Sequence, residues 1–554
     1  MKPNGTIKRL GLLVTAAVLV ASCSSSQATS GPSANSGAPS HGGTLSTAYQ
    51  GDIQSLDPAI AYDTESWAME RLLFSTLVTF DRNAKLVPEL AESMPTVSAD
   101  GKTYTFTLRK GVNFVKSDGS VLRELTADDV VYSLNRVLDP NLTPNPSPVA
   151  TTFFGNIVGA ADVIAGKGTA ASGIKALDAN TVEIDLVQPD STLLDVLADP
   201  FGGIVPKEYA KEDSAAFSAA PIGTGPFYLK SYTKGQEAVF VRNPHYWQTG
   251  LPYLDEIDVH VGVDANSQLQ QVEAGTLDIT GDPFPSGSFT SVVNDSRYKD
   301  RIVHQTLVSV LYIWMDTQSL DTPLKDVKVR QAVNYAINKE NILKIVHNEG
   351  VVANCIFPPS MPGGYDPNCK PYTYDVAKAK QLMADAGYPD GFSTTFYTDT
   401  ADPDPQIAQA IQQDLAAINI KVNVVTQEWA TFLTTVETPH AAPMGYVSWY
   451  QDYPDPSDFV DPILSCATAV KGGSNFALYC NKDVDAKAAT ARGGQDAAKR
   501  TAEYQAIQSQ IMADAPWVPI WHQDWYTLLS PRVQTFYLHP VWYYDLGNYS
   551  VSGG

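Results

Sequence analysis

Basic residues are scarce in this chain of 554: 38 Lys and Arg stand against 60 Asp and Glu, for a net charge of −22. A surface of that sign repels phosphate backbones, which argues against nucleic-acid binding, and it excludes adhesion to anionic lipid through a broad basic patch. No apolar run approaches the ~20 residues that span a bilayer, so a polytopic membrane protein is excluded. Cysteine occurs only five times, with no C-x-x-C spacing and no nearby histidine pair, which argues against a zinc site. The eight histidines are scattered singly, and neither H-E-x-x-H nor G-x-S-x-G occurs. Gly101-Lys102-Thr103 ends like a phosphate loop, but Thr96 stands where its first glycine belongs.

What is present begins with a leader. Lys2, Lys8 and Arg9 precede an uncharged apolar stretch from Leu10 to Ala21, the length of a secretory core segment. It ends in Val20-Ala21-Ser22-Cys23, which resembles a bacterial lipobox whose cysteine takes a diacylglycerol; an ordinary signal peptide is the alternative. Cleavage of residues 1–22 would leave 554 − 22 = 532 residues at about −25. Residues 23–43 then form a Ser-, Gly- and Ala-rich tether with too little apolar surface to offset its ordering entropy. The expected location is the extracytoplasmic face of a membrane, held by lipid.

The remaining cysteines form two local pairs fourteen positions apart, Cys355 with Cys369 and Cys466 with Cys480. Of the three connectivities open to four cysteines, the local one closes the shortest loops. Each bridge is expected to contribute about 3 kcal/mol on the chain-entropy model.

From Thr44 onward the chain alternates helices and strands. Tyr104, Phe106 and Leu108 follow the Asp100-Gly101 turn at a period of two, which predicts a strand. Val329, Ala332, Val333, Ala336 and Ile337 form one helical stripe. Asp375 as N-cap and Gly387 as stop bracket another helix. Residues 392–425 read strand, helix, strand, a βαβ unit that places an α/β body in the C-terminal half. No repeat period and no charge block divides the body.

Several motifs then occur in a fixed order. They are Leu56-Asp57-Pro58; Gly111-Val112 through Leu125-Thr126-Ala127-Asp128-Asp129-Val130 and Arg136; and Gly223-Thr224-Gly225-Pro226-Phe227 with Arg242-Asn243-Pro244-His245-Tyr246-Trp247. Asp326-Val327 through Ile337 and Tyr453-Pro454-Asp455-Pro456 complete the set. In this the chain resembles the family 5 extracellular solute-binding proteins, the receptors of peptide- and nickel-type ABC importers, from residue 44 to the end. Read alone, the motifs are structural: the Gly-Thr-Gly-Pro turn uses glycine's φ freedom, and Arg330 makes a structural ion pair.

The resemblance implies an α/β, two-lobed periplasmic-binding-protein-like fold (type II, cluster C) with an extra subdomain on the first lobe. Lobe I would take residues 44–75, 222–305 and 526–554, the extra subdomain 76–221, and lobe II 306–525. It also implies a monomeric receptor rather than an enzyme, without cofactor or resident metal, that hands short peptides to a permease and its ATPase. Asp452 would pair with the peptide α-ammonium, the strand before it would bond the peptide main chain, and Trp449 and Tyr450 would wall the pocket. Tyr62, Asp63 and Thr64 would form the opposite wall. Against this stands a plain reading of Asp452, Asp455, Asp458 and Asp461 as turn and cap residues. An oligosaccharide or other small solute is the alternative ligand; nickel fits poorly, since no histidine lies in 449–452. A surface hydrolase is the alternative class. The aromatics Trp517, Trp521, Trp525, Tyr526, Trp542, Tyr543 and Tyr544 read as interlobe packing, with a sugar platform as the second reading.

Overall fold

The computed structural model describes residues 39–552 apart from 212, 319–321 and 495; the leader, Cys23 and most of the tether lie outside the described residues. Two sheets organise the molecule. The first is five-stranded, in the order Phe227–Thr233, Glu237–Arg242, Glu256–Val261, Thr44–Tyr49, Ile279–Thr280. Its centre is parallel, with Thr44–Tyr49 in register against Glu256–Val261.

The second sheet runs Ile302–Thr306, Trp517–Leu528, Ser309–Met315, Met444–Tyr450, Phe392–Asp399, Ile420–Gln427. Gly350–Val352 pairs Trp517–Leu528 off that path. Ser309–Met315 is buried at every residue, as expected of a strand covered on both faces. Its side chains alternate between two cores: Val310, Tyr312 and Trp314 enter one, Leu311, Ile313 and Met315 the other. The predicted βαβ unit is present, with Phe392–Asp399 and Ile420–Gln427 parallel and the helix Asp404–Ala416 between them. The stripe helix is Val327–Ala336, with Val329, Ala332, Val333 and Ala336 fully buried. Asp375 caps the helix Val376–Asp385 by accepting from the Lys378 amide at 2.9 Å.

A smaller four-stranded sheet, Thr96–Val97, Thr103–Thr107, Thr181–Asp185, Ile174–Asp178, has its own core built around Tyr104, Phe106, Phe114 and Phe154. Two motif residues meet beside it. Arg136 donates from both terminal nitrogens to the two carboxylate oxygens of Asp57, at 2.5 and 2.6 Å, and both side chains are buried. The cysteines pair locally, Cys355 with Cys369 and Cys466 with Cys480.

The chain passes from the first sheet to the second between Ile279–Thr280 and Ile302–Thr306, and Trp517–Leu528 continues into a bridge between Leu529 and Ile279 of the first sheet. Tertiary contacts correct two motif readings. Arg330 makes no ion pair among the described residues; it donates to the backbone carbonyls of Asp514, Leu324 and Lys325. Neither Gly223 nor Gly225 has positive φ. They are needed for close approach: a Cβ would lie 1.9 Å from the Leu73 carbonyl oxygen at Gly223 and 2.4 Å from that of Leu72 at Gly225.

Candidate functional site

The Met444–Tyr450 strand carries the candidate site. On one side Ser309–Met315 pairs with it along its full length. On the other, Phe392–Asp399 reaches only Met444 and Gly445 before the two strands part. Gly445 permits that contact, since a Cβ would sit 2.3 Å from the Tyr397 carbonyl and against the Trp314 ring. From Tyr446 to Tyr450 no described strand pairs with this edge, so its backbone donors and acceptors face the gap. Strand alternation sorts the side chains. Tyr446, Ser448 and Tyr450 line a cavity of ≈ 290 Å³, while Val447 and Trp449 pack against the core of the opposite face.

Beyond the strand, residues 451–460 are all buried. The Tyr62 hydroxyl donates to both carboxylate oxygens of Asp452, at 2.9 Å each. Behind Asp452, Asp458 accepts from the Asp452 amide at 3.0 Å and from the Trp449 indole at 3.3 Å. Burial raises the Asp452 carboxyl, against hydrogen bonds from Tyr62 and Asp458 that lower it. Burial and the charge of Asp452 hold Asp458 well above the carboxylate range. The other two acids of this run have basic partners: Arg500 grips Asp455 with two bonds, and Arg492 donates to Asp461 at 2.6 Å. The turn-and-cap reading thus describes Asp455, which also caps the Pro456–Phe459 turn, while Asp461 opens the short helix Asp461–Leu464 without capping it. Asp452 and Asp458 have no basic partner among the described residues.

The facing wall is the start of the helix Thr64–Leu73. Asp63 accepts from the Ser66 amide at 2.8 Å as N-cap. Its second oxygen is buried without a partner, and desolvation lifts its carboxyl to about 6. Thr64 and Glu65 line a second cavity of ≈ 200 Å³ with Tyr450, Trp525, Trp542, Tyr543 and Tyr544. The Gly-Thr-Gly-Pro motif seats this helix from below, with the Gly225 amide donating to the Leu73 carbonyl at 2.9 Å.

Of the expected site residues, the structure brings Tyr62 to Asp452 and sets Thr64 and Tyr450 around one cavity; Trp449 lines neither cavity. The aromatics read as packing do more than that. Trp521 lines the first cavity, and Trp525, Trp542, Tyr543 and Tyr544 line the second. Tyr543 stands at φ +59°, a conformation costly for an aromatic residue, inside a tight hairpin closed by His539. The only signal of this in the sequence is the run of three aromatics from Trp542 to Tyr544. Neither cavity is lined by a Lys, Arg or His.

Residues 85–471 match the family model described as bacterial extracellular solute-binding proteins, family 5 Middle. The chain belongs to that family. Among curated relatives of this family 5 protein, heme-binding protein A of Haemophilus influenzae is 32% identical over 90% of this chain and 90% of its own length. The dipeptide-binding protein of Escherichia coli is 31% identical over 86% and 89%. Among solved structures, the periplasmic binding protein DppA from Helicobacter pylori in complex with peptide STSA aligns at a TM-score of 0.77 and 27% identity, covering 93% of this chain and 99% of that one. HbpA2 from Haemophilus parasuis aligns at 0.80 and 27%, covering 92% and 100%. These neighbours share the two-lobed α/β fold, and the family consists of extracellular solute binders rather than enzymes.

Proposed function

We propose that this chain captures short peptides outside the cell and delivers them to an ABC permease. The reading rests on one observation: an unpaired strand edge, Tyr446 to Tyr450, leads directly to a buried carboxylate with no basic partner. A peptide added to that edge satisfies its backbone groups whatever its side chains, and its α-ammonium meets Asp452. The ammonium takes the place of the proton that burial favours there, as a charge-assisted bond. Tyr62, Asp63 and Thr64 close the site from the facing wall, and Tyr450 separates its two cavities. The curated relatives whose names specify dipeptides or di- and tripeptides support this ligand class over a sugar.

The lobes we assign are 44–75, 222–305 and 526–554 for the first, with 76–221 as its extra subdomain, and 306–525 for the second. They close about the two points where the chain passes between them, at 305–306 and 525–526. Cys23 anchors the monomer by lipid; Cys23→Ala should move it from the membrane to the soluble fraction, and quantitative retention would count against the anchor.

Isothermal titration tests the peptide site. Wild-type protein should bind a short peptide and bind its N-acetylated form poorly. Asp452→Ala should lose about 2–5 kcal/mol toward the free peptide and barely distinguish the two. Equal affinities in all four combinations would remove the ammonium role, and binding of oligosaccharide but no peptide would overturn the ligand class.

A further inference from the structure

The larger cavity has a composition that an α-ammonium at Asp452 does not explain. It opens where the Phe392–Asp399 strand departs from Met444–Tyr450. The segment after that departure supplies Asp399, Asp402 and Asp404, and Glu349 faces them. None of these four carboxyls has an ion pair with a basic residue among the described residues. Asp399 and Asp404 hydrogen-bond to each other, the arrangement two carboxyls adopt when one keeps its proton. Glu349 is raised to about 8 by burial and by the charges of Asp402 and Asp524.

A carboxyl cluster alone says little, but two buried groups in the same wall lack partners. Tyr446 is 1% exposed and its hydroxyl has no hydrogen bond; burial, and after it the charge of Asp404, keeps that hydroxyl protonated. Trp521 is 3% exposed and its indole N–H is likewise unmatched. Buried polar atoms are rarely left so, and each costs about 1–3 kcal/mol until something completes it. The hydroxyl oxygen and four carboxyls offer acceptors to a cation, and the indole N–H asks for an acceptor such as a ligand carbonyl. Among the described residues no three His, Cys, Asp or Glu converge as a metal-binding set, so the arrangement suits an organic cation. Ser286 donates to Asp402 across the mouth, tying the segment after the first sheet to the second body over the pocket.

We infer that this cavity is a specificity pocket for a second cationic group on the ligand, a guanidinium or a primary ammonium, so that basic peptides are the preferred cargo. The inference builds on the peptide reading but depends on different residues. A peptide on the Tyr446–Tyr450 edge sends alternate side chains to the face that Tyr446, Ser448 and Tyr450 present, which delivers one of them into the acidic pocket.

The test uses the full-length mature protein and tripeptides with one Arg at the first, second or third position and Ala elsewhere. Each is compared with its norleucine and Glu counterparts. At one position Arg should bind at least about tenfold more tightly than norleucine, and Glu should bind most weakly. The double variant Glu349→Gln/Asp404→Asn should bring the Arg-to-norleucine ratio to within about threefold while leaving the norleucine peptide's affinity in place. That unchanged affinity also reports that the variant is folded. If all peptides bind with no preference for Arg, the pocket assignment falls and the peptide reading stands. If no tripeptide binds but agmatine does, and the double variant loses it, the pocket stands and the peptide reading falls. If neither binds, both fall.

Discussion

The Tyr62 hydroxyl bonds both carboxylate oxygens of Asp452, at 2.9 Å each, across 390 residues of chain. Tyr62 precedes the helix packed on the first sheet, and Asp452 follows a strand of the second. This contact therefore measures closure, and it occupies the carboxylate that the ligand is expected to take. Tyr62→Phe keeps the ring against Trp67 and Phe153 while deleting the donor. Scattering from the ligand-free variant should give a larger radius of gyration than wild type, and saturating peptide should restore the compact value. An unchanged radius would mean that the hydroxyl does not hold the bodies together.

Acidity should stabilise the fold over a defined range. Asp461 and Asp63 are lifted to about 6 and Glu349 to about 8, chiefly by burial. Glu70, Asp199 and Asp458 lie well above their ordinary range for the same reason. Such a carboxyl binds its proton more tightly when folded, so its contribution is full at low pH and lost as pH rises through the folded value. Two histidines oppose this. Burial lowers His522 and His539 to about 4, so protonation of the unfolded chain below ~6.5 favours unfolding. The carboxyls outnumber them, and the thermal midpoint should rise from pH 8 to pH 5.5. Below about pH 4 the trend should reverse as Asp129 and Asp545, whose pKa values are depressed, gain protons. Calorimetry across that range decides the sign, and Glu349→Gln should flatten the slope.

Asp57→Ala should be among the costliest single changes in the chain. It leaves the Arg136 guanidinium buried with its bidentate partner gone, at a cost of about 3–5 kcal/mol. Denaturant unfolding of the two single variants and the double variant Asp57→Ala/Arg136→Met checks this. The double variant should be less damaged than the sum of the singles.

Gly223→Ala should harm binding through a distant backbone. Its methyl would meet the Leu73 carbonyl at 1.9 Å, and that carbonyl ends the helix that begins with Thr64 beside Tyr62 and Asp63. A lower unfolding midpoint together with weaker peptide binding is expected; a stable variant with unchanged affinity would show that the helix has room to shift.

Reduction should destabilise the second body. Each fourteen-position loop loses about 3 kcal/mol of chain-entropy stabilisation, and non-reducing peptide maps should show the two local linkages without crossed species.

Local pattern made much of the fold legible. The stripe on Val327–Ala336, the cap at Asp375 and the βαβ unit at 392–427 follow from periodicity and turn chemistry, which are near-neighbour properties. The site was less legible because its decisive features are relational. Trp449 and Tyr450 are adjacent, yet pleating sends one into a core and the other between two cavities. That Asp455 and Asp461 have arginine partners while Asp452 has none depends on residues 31–45 positions away. The glycines at 223 and 225 were read as φ requirements, but the contact that demands them lies on a helix about 150 residues earlier.

The Trp517–Leu528 strand has a consequence for how the molecule is made. It lies between Ile302–Thr306 and Ser309–Met315, and Leu529 beyond it bridges to the first sheet. The strands of the first sheet are complete by Thr280, but the second cannot be finished until almost the whole polypeptide has left the ribosome. Its assembly is dominated by late, long-range closure, which makes folding slow. An extracellular protein gains from that delay, because a narrow translocation channel admits an open chain and refuses a folded one.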